Sequence, residues 1–313
     1  MAEKIAFLFP GQGSQFVGMG LDLAETYPAA RDVFAEADDT LGFSLSALCF
    51  EGPEESLNDT YYTQPAIVAA SIATMRAARS AGWSVSPDFV AGHSLGEYSA
   101  FVAADVLTFG DGLRLVRERS RLMKEAGERS PGGMAAVIKL DADTLDDICR
   151  RASEETGGVV QAANYNSPGQ IVISGDGETL ERAMEMAHDA GARRVKRLAV
   201  SIASHSPLMA SITDEFRQVV ESVPVQPPAV PVVVNVTARP LGTTDEVRHE
   251  MVAQLTSALR WSGSIEYMIA EGVQAFVELG PKEVLTGLVG RIDKSVTAAA
   301  CGTVEGVQVL ASS

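Results

Sequence analysis

A serine set between two glycines is the strongest chemical signal in this chain. Gly92-His93-Ser94-Leu95-Gly96 follows a short apolar run at 89–91 and precedes small and apolar residues at helical spacing over 95–104. A strand that turns straight into a helix crowds its middle residue, and glycines on either side relieve the crowding. Ser94 is thereby lifted to a helix N-terminus, where free N–H groups and the positive end of the dipole favour a developing oxyanion. The Leu95 N–H, next after the nucleophile, forms half of an oxyanion hole. The competing reading is a glycine-rich turn with an ordinary capping serine.

A serine nucleophile needs a base, and the chain contains 4 histidines. His188, beside Met186 and Asp189, and His249, between Arg248 and Glu250, both read as solvent-facing. His93 adjoins Ser94, and neighbouring side chains diverge at such a bend. His205 remains, in a loop after the apolar run 198–203, which reads as a core strand; strand ends are where sites gather in α/β folds. No Asp or Glu stands in an obvious loop to complete a triad, so the residues read as a Ser–His dyad with a backbone carbonyl able to serve as third member. One cation also stands out. On a helix over 111–126, Arg119 shares its face with Leu115, Val116, Leu122 and Met123, while Arg114, Arg117 and Arg121 gather on the polar side. A guanidinium on an apolar face must find an anion. That anion is either an internal carboxylate or the carboxylate of a substrate held bidentately.

The elements that position these groups alternate between strand and helix. A strand at 4–9 runs into Pro10-Gly11-Gln12-Gly13; no lysine follows the last glycine, so this is not a phosphate loop. A better use is to present backbone N–H groups, with Gln12 facing the site; the competing reading is a plain turn. A helix begins near Gly20-Leu21, and others follow over 27–41, 44–50 and 63–79, the last with Pro65 in its first turn. Between 134 and 200 the order is strand, helix, strand, strand, helix, strand, a ferredoxin-like unit. Beyond it come a helix opened by Ser206-Pro207, a strand at 231–236, helices over 245–259 and 262–270, a strand at 274–279, a helix near 282–291 and a final strand near 295–301. The fold class is α/β, with a large subdomain from residues 1–131 and 201–313 and a small inserted one from 132–200.

Composition narrows the rest. At 313 residues and 46% apolar the chain buries a large core. A net charge of −16 argues against nucleic acid as a partner and requires any acidic ligand to be held by local cations. The 3 cysteines are scattered without metal-ligand spacing, which predicts a reducing compartment and neither a disulfide framework nor a metal. The lead-in Met1-Ala2-Glu3-Lys4 and the short run 5–9 do not make a signal peptide, and no stretch approaches a membrane helix, so a cytoplasmic protein without a membrane partner is expected. The densest basic run, Arg193-Arg194-Val195-Lys196-Arg197, either lines an approach channel or is a solvated strand face.

Five motifs in order resemble the malonyl-CoA:acyl carrier protein transacylase family of discrete bacterial type: Gly11-Gln12-Gly13-Ser14-Gln15, Gly92-His93-Ser94-Leu95-Gly96-Glu97, Arg119, Asn164-Tyr165-Asn166-Ser167-Pro168-Gly169-Gln170 and Ser204-His205. The likeness continues to Glu278-Leu279-Gly280-Pro281 and Val284-Leu285, and departs at Lys282, where the family often has a second glycine. The resemblance implies an α/β-hydrolase-like large subdomain with the ferredoxin-like insert. By position it implies Ser94 as the acylated nucleophile, His205 as its base, Gln12 and Leu95 as oxyanion-hole donors, and Arg119 as partner of the malonyl carboxylate. It also implies the Gln254 carbonyl as the group that orients His205, with His93 and Asn164 at substrate-binding positions. The implied reaction is a ping-pong exchange from malonyl-CoA to the phosphopantetheine thiol of acyl carrier protein, without a cofactor of its own. A monomer is expected, and a free-standing chain favours fatty-acid over polyketide synthesis. A serine esterase or thioesterase shares the elbow and base; a non-catalytic carrier-binding module predicts no acyl adduct.

Overall fold

The structure is a computed structural model that describes residues 4–312, so Met1, Ala2, Glu3 and Ser313 lie outside the described residues. The chain opens with β1 (Lys4–Phe9), then α1 (Leu21–Thr26), α2 (Pro28–Leu41), α3 (Leu45–Glu51), α4 (Glu54–Asn58) and α5 (Thr60–Ser80). β2 (Phe89–Gly92) leads into α6 (Gly96–Ala103) and α7 (Phe109–Arg129). The middle third holds β3 (Gly132–Ile138), α8 (Ala142–Thr156), β4 (Val160–Ser167), β5 (Gln170–Asp176), α9 (Gly177–Asp189) and β6 (Arg194–Arg197). A 3-10 turn (Pro207–Ile212) and α10 (Thr213–Ser222) precede β7 (Val232–Val233), α11 (Thr244–Ala253), α12 (Trp261–Ala270), β8 (Val273–Leu279), α13 (Val284–Ile292), β9 (Thr297–Cys301) and α14 (Val304–Ala311).

The strands form two separate sheets. One is parallel and five-stranded in the order β7-β2-β1-β8-β9. Helices cover both of its faces, which is why β1 is apolar at successive positions rather than alternately. Its odd and even residues still separate: Phe7 and Phe9 join one hydrophobic cluster, while Ala6 and Leu8 join another with Trp261, Ile265 and Met268. The other sheet is antiparallel and four-stranded in the order β4-β5-β3-β6, and carries the βαββαβ connectivity. α8 and α9 cover one face through Leu145, Ile148, Leu180 and Ala183. Met134, Ala163 and Val172 on the opposite face pack with Leu198 and Val200.

Several elements differ from the sequence expectation for physical reasons. α5 starts at Thr60, capped by Asp59, which places Pro65 inside the helix rather than in its first turn. The carbonyl that Pro65 cannot bond, Tyr61 O, instead accepts from Arg117 Nη1 at 2.8 Å and Ser120 Oγ at 3.3 Å, so α7 fills the gap. The last strand of the small sheet ends at Arg197; Leu198 N–H still donates to Met134 O at 2.8 Å, and the chain beyond leaves the ladder as Val200 packs on the cleft-side cluster. His205 therefore lies on a crossing segment between the sheets, not at the end of a core strand. α11 stops at Ala253 because the following segment pairs with β4, Leu259 N–H donating to Ala163 O at 2.7 Å and Tyr165 N–H to Leu259 O at 2.9 Å. β7 is only two residues long; the chain then turns tightly at Val234–Arg239 and frees Asn235 for the site. α4 and α14 are helices where the sequence reading placed none.

Candidate active site

Ser94 holds a left-handed backbone, φ 53°, at the bend between β2 and α6. The two glycines serve close approach. A Cβ on Gly92 would lie 2.0 Å from Gly96 C and O, and one on Gly96 would lie 2.2 Å from Phe9 O. Asn235, delivered by the turn after β7, staples the bend: its Oδ1 accepts from Ser94 N–H at 2.8 Å and its Nδ2 donates to Gly92 O at 2.7 Å. A strained residue persists only when its surroundings over-determine it, and these contacts do so.

His205 reaches Ser94 from the crossing segment, with Nε2 2.8 Å from Ser94 Oγ. Its Nδ1 is 2.8 Å from Gln254 O, at the C-terminal end of α11. A carbonyl only accepts, so Nδ1 carries the hydrogen and Nε2 is left to accept the Ser94 proton. Gln161 Nε2, from β4, donates to His205 O at 2.7 Å and holds the backbone from the other side. Burial first, then the nearby Arg119 charge, pushes the imidazole pKa down to about 3, against the opposing hydrogen bond to Gln254. The ring is thus neutral and ready to accept a proton.

Arg119 is 1% exposed and makes no direct ion pair with any described carboxylate, the nearby Glu97 acting on it only through space. Its Nη1 donates to Gln64 Oε1 at 2.7 Å and its Nη2 to Gln254 Oε1 at 2.9 Å, with Ser94 Oγ at 3.4 Å. Nε is buried without a hydrogen-bond partner among the described residues. Of the two anions the sequence allowed, the internal one is therefore missing from its first contacts. Leu95 N–H and Gln12 N–H donate to no other described residue, while the Gln12 side chain accepts from Thr60 Oγ1 at 3.0 Å. Ser94, His205, Arg119 and Gln12 line one cleft of about 390 Å³ between the two sheets, together with His93, Asn164, Met123 and Val200. His93 Nε2 lies 2.8 Å from Asn166 Oδ1, and burial lowers its pKa. Asn164 Oδ1 is buried with no partner. The basic run 193–197 is not part of the cleft: Arg194, Lys196 and Arg197 are exposed, and Arg197 pairs with Glu181.

Four participants were not singled out from sequence: Asn235, Gln64, Gln161 and Glu97. Glu97 is fully buried on the apolar helix α6, where Oε1 accepts from Gln254 Nε2 at 3.0 Å and Oε2 from Asn235 N–H at 2.8 Å. Its signal was the one that flagged Arg119, a charge among apolar residues at helical spacing.

A family model described as acyl transferase domain matches residues 6–307. The malonyl CoA-acyl carrier protein transacylase of Bacillus subtilis (strain 168) is 44% identical over 307 residues, covering 98% of this chain and 96% of its own length. The solved malonyl CoA-acyl carrier protein transacylase of Coxiella burnetii superposes with a TM-score of 0.96 at 38% identity, covering 100% of this chain and 98% of its own. A malonyl-transacylase solved in complex with its holo type II PKS acyl-carrier protein superposes with a TM-score of 0.95 at 42% identity, covering 99% of each chain.

Proposed function

The chain belongs to the acyl transferase domain family, and we propose that Ser94 and His205 carry its malonyl transfer from malonyl-CoA to the phosphopantetheine thiol of acyl carrier protein. The observation that carries this reading is a serine 2.8 Å from a neutral imidazole, in the same cleft as a buried guanidinium with no carboxylate partner. His205 Nε2 takes the Ser94 proton as Oγ attacks the thioester carbonyl. The oxyanion is received by the unoccupied Leu95 and Gln12 N–H groups. The C–S bond breaks, and His205 returns the proton to the departing CoA sulfur. The carrier's thiol then gives its proton to His205 and attacks the malonyl ester, and Ser94 leaves with that proton. Arg119 holds the malonyl carboxylate throughout, while Gln254 O keeps His205 in the tautomer that accepts at Nε2. His93 and Asn164 line the acyl path, Asn164 offering a free carbonyl oxygen.

The same reading takes residues 1–131 with 201–313 as one subdomain and 132–200 as the other. Two sheets that share no strand, each with its own hydrophobic clusters, support that division. It further takes the protein as a cytoplasmic monomer that acts on no nucleic acid, in keeping with its charge of −16. No described helix is long and apolar enough to cross a membrane. Intact-mass spectrometry after mixing with malonyl-CoA tests the mechanism: one malonyl group on the wild type, none on Ser94→Ala, and release on adding carrier protein but not on dilution into water. An adduct on Ser94→Ala would overturn it, and release by water alone would make the chain a thioesterase. The solved complex with a type II PKS carrier supports a second acceptor class, read by offering fatty-acid and polyketide carriers side by side.

A further inference from the structure

Beneath the bend lies a buried carboxylate that the transfer steps above do not use. Both oxygens of Glu97 accept, one from Gln254 Nε2 at 3.0 Å and the other from Asn235 N–H at 2.8 Å. Each of these partners reaches a reacting group with another atom. Gln254 gives its side-chain oxygen to Arg119 and its backbone oxygen to His205; Asn235 gives its side-chain oxygen to Ser94 N–H. A primary amide has one donor end and one acceptor end, so whatever fixes one end fixes the other. Were the Gln254 amide reversed, its N–H groups would face the guanidinium, donor against donor. Both Glu97 oxygens already accept from N–H donors, so a reversed amide would set its oxygen against an acceptor, whereas Ser94 O, the other acceptor of Gln254 Nε2, is further away at 3.2 Å.

We propose that Glu97 is a positioning residue that locks the Gln254 amide with its oxygen toward Arg119, and so sets how well the site reads the acyl carboxylate. The charged or titratable groups around it are Arg119 from α7, Tyr98 from α6 and Glu250 from α11, whose Oε1 accepts from Val236 N–H at 2.9 Å, next along the turn from Asn235. Burial, then the Glu250 charge, pushes the Glu97 carboxyl well above the usual carboxylate range, against the hydrogen bond from Asn235 N–H, the Arg119 charge and the Gln254 amide. The inference rests on Arg119 being the partner of the substrate carboxylate. Its specific content is that Glu97 acts on substrate reading through one side chain, Gln254, and not on the nucleophile.

The test is Glu97→Gln, which keeps the shape and forces one donor–donor contact, compared with Gln254→Met, which removes the amide but keeps the backbone carbonyl on His205. In Glu97→Gln the KM for malonyl-CoA is expected to rise about tenfold, with kcat changed by less than about threefold, as for the loss of a hydrogen bond to a charged group, and in Gln254→Met the KM is expected to rise at least as far. The double variant is expected to be no worse than Gln254→Met alone, because the coupling runs through that amide. Inactivation of Glu97→Gln by phenylmethylsulfonyl fluoride, a neutral reagent that needs Ser94 and His205 but no carboxylate partner, is expected to keep its wild-type rate. Equal losses toward malonyl-CoA and the neutral reagent would overturn the inference, as would additive effects, an unchanged KM, or a Glu97→Gln protein that fails to fold while Gln254→Met folds. Absence of a malonyl adduct on the wild type would instead sink the functional reading itself.

Discussion

Amide oxygens on both terminal nitrogens solvate Arg119 without cancelling its charge, and the nearby Glu97 carboxyl acts on it only through space, so its charge remains available to a carboxylate entering the cleft. Arg119→Met is expected to lower kcat/KM for malonyl-CoA by on the order of a hundredfold, the scale of a lost charge-assisted pair, measured by steady-state kinetics. The same guanidinium, after burial, is a cause of the low His205 pKa of about 3. Removing it raises the basicity of the imidazole. The acid limb of the pH profile for inactivation by the neutral serine reagent should therefore move to higher pH in Arg119→Met; a limb that stays put would show the two side chains to be electrostatically independent. At this scale the sequence was legible where a residue type contradicts its surroundings. Arg119 on an apolar helix face and a serine between glycines were both readable. Glu97 offered the same contradiction, but its partners lie 138 and 157 positions away in the chain and no local pattern points to them. Asn235 and Gln64 acquire meaning only once the turn after β7 and the helix α5 are placed beside the bend.

Elements carry a different kind of constraint. The close approach of β2 to the first turn of α6 leaves no room for a methyl group at Gly92 or Gly96. Gly92→Ala or Gly96→Ala must displace backbone and is expected to cost several kcal/mol, seen as a lowered denaturation midpoint. Gly177, around which a Cβ meets nothing within 4 Å, is the control whose alanine variant should melt near the wild type. Strand and helix identities were largely readable because buried parallel strands are continuous apolar runs and the surface helices are amphipathic. The exceptions share one cause, that long-range contacts override local pattern. Arg117 and Ser120 make a proline tolerable inside α5, pairing with β4 ends α11 early, and cleft packing draws 199–203 out of a sheet it would otherwise extend.

Across the whole molecule, buried titratable groups make stability depend on pH from both sides. Burial raises Glu250, so the folded state keeps a proton that the unfolded chain gives up, and stability falls as pH rises from the ordinary glutamate range toward the raised value. Burial lowers His205, so below its usual range the unfolded chain takes a proton that the folded state refuses, and stability falls as pH drops toward about 3. Glu250→Gln removes the first effect. Its melting temperature relative to wild type should rise by a few degrees between about pH 5 and about pH 8, by calorimetry; a constant difference would mean that the carboxyl ionises unhindered in the fold. His205 itself rides on the strap that joins the two sheets, tethered to β4 of the small sheet by Gln161 and to the end of α11 by Gln254. Any hinge movement between the halves would pull the imidazole from the hydroxyl like a disengaging clutch. Proton transfer therefore demands that the jaw be held shut at the instant the hydroxyl attacks.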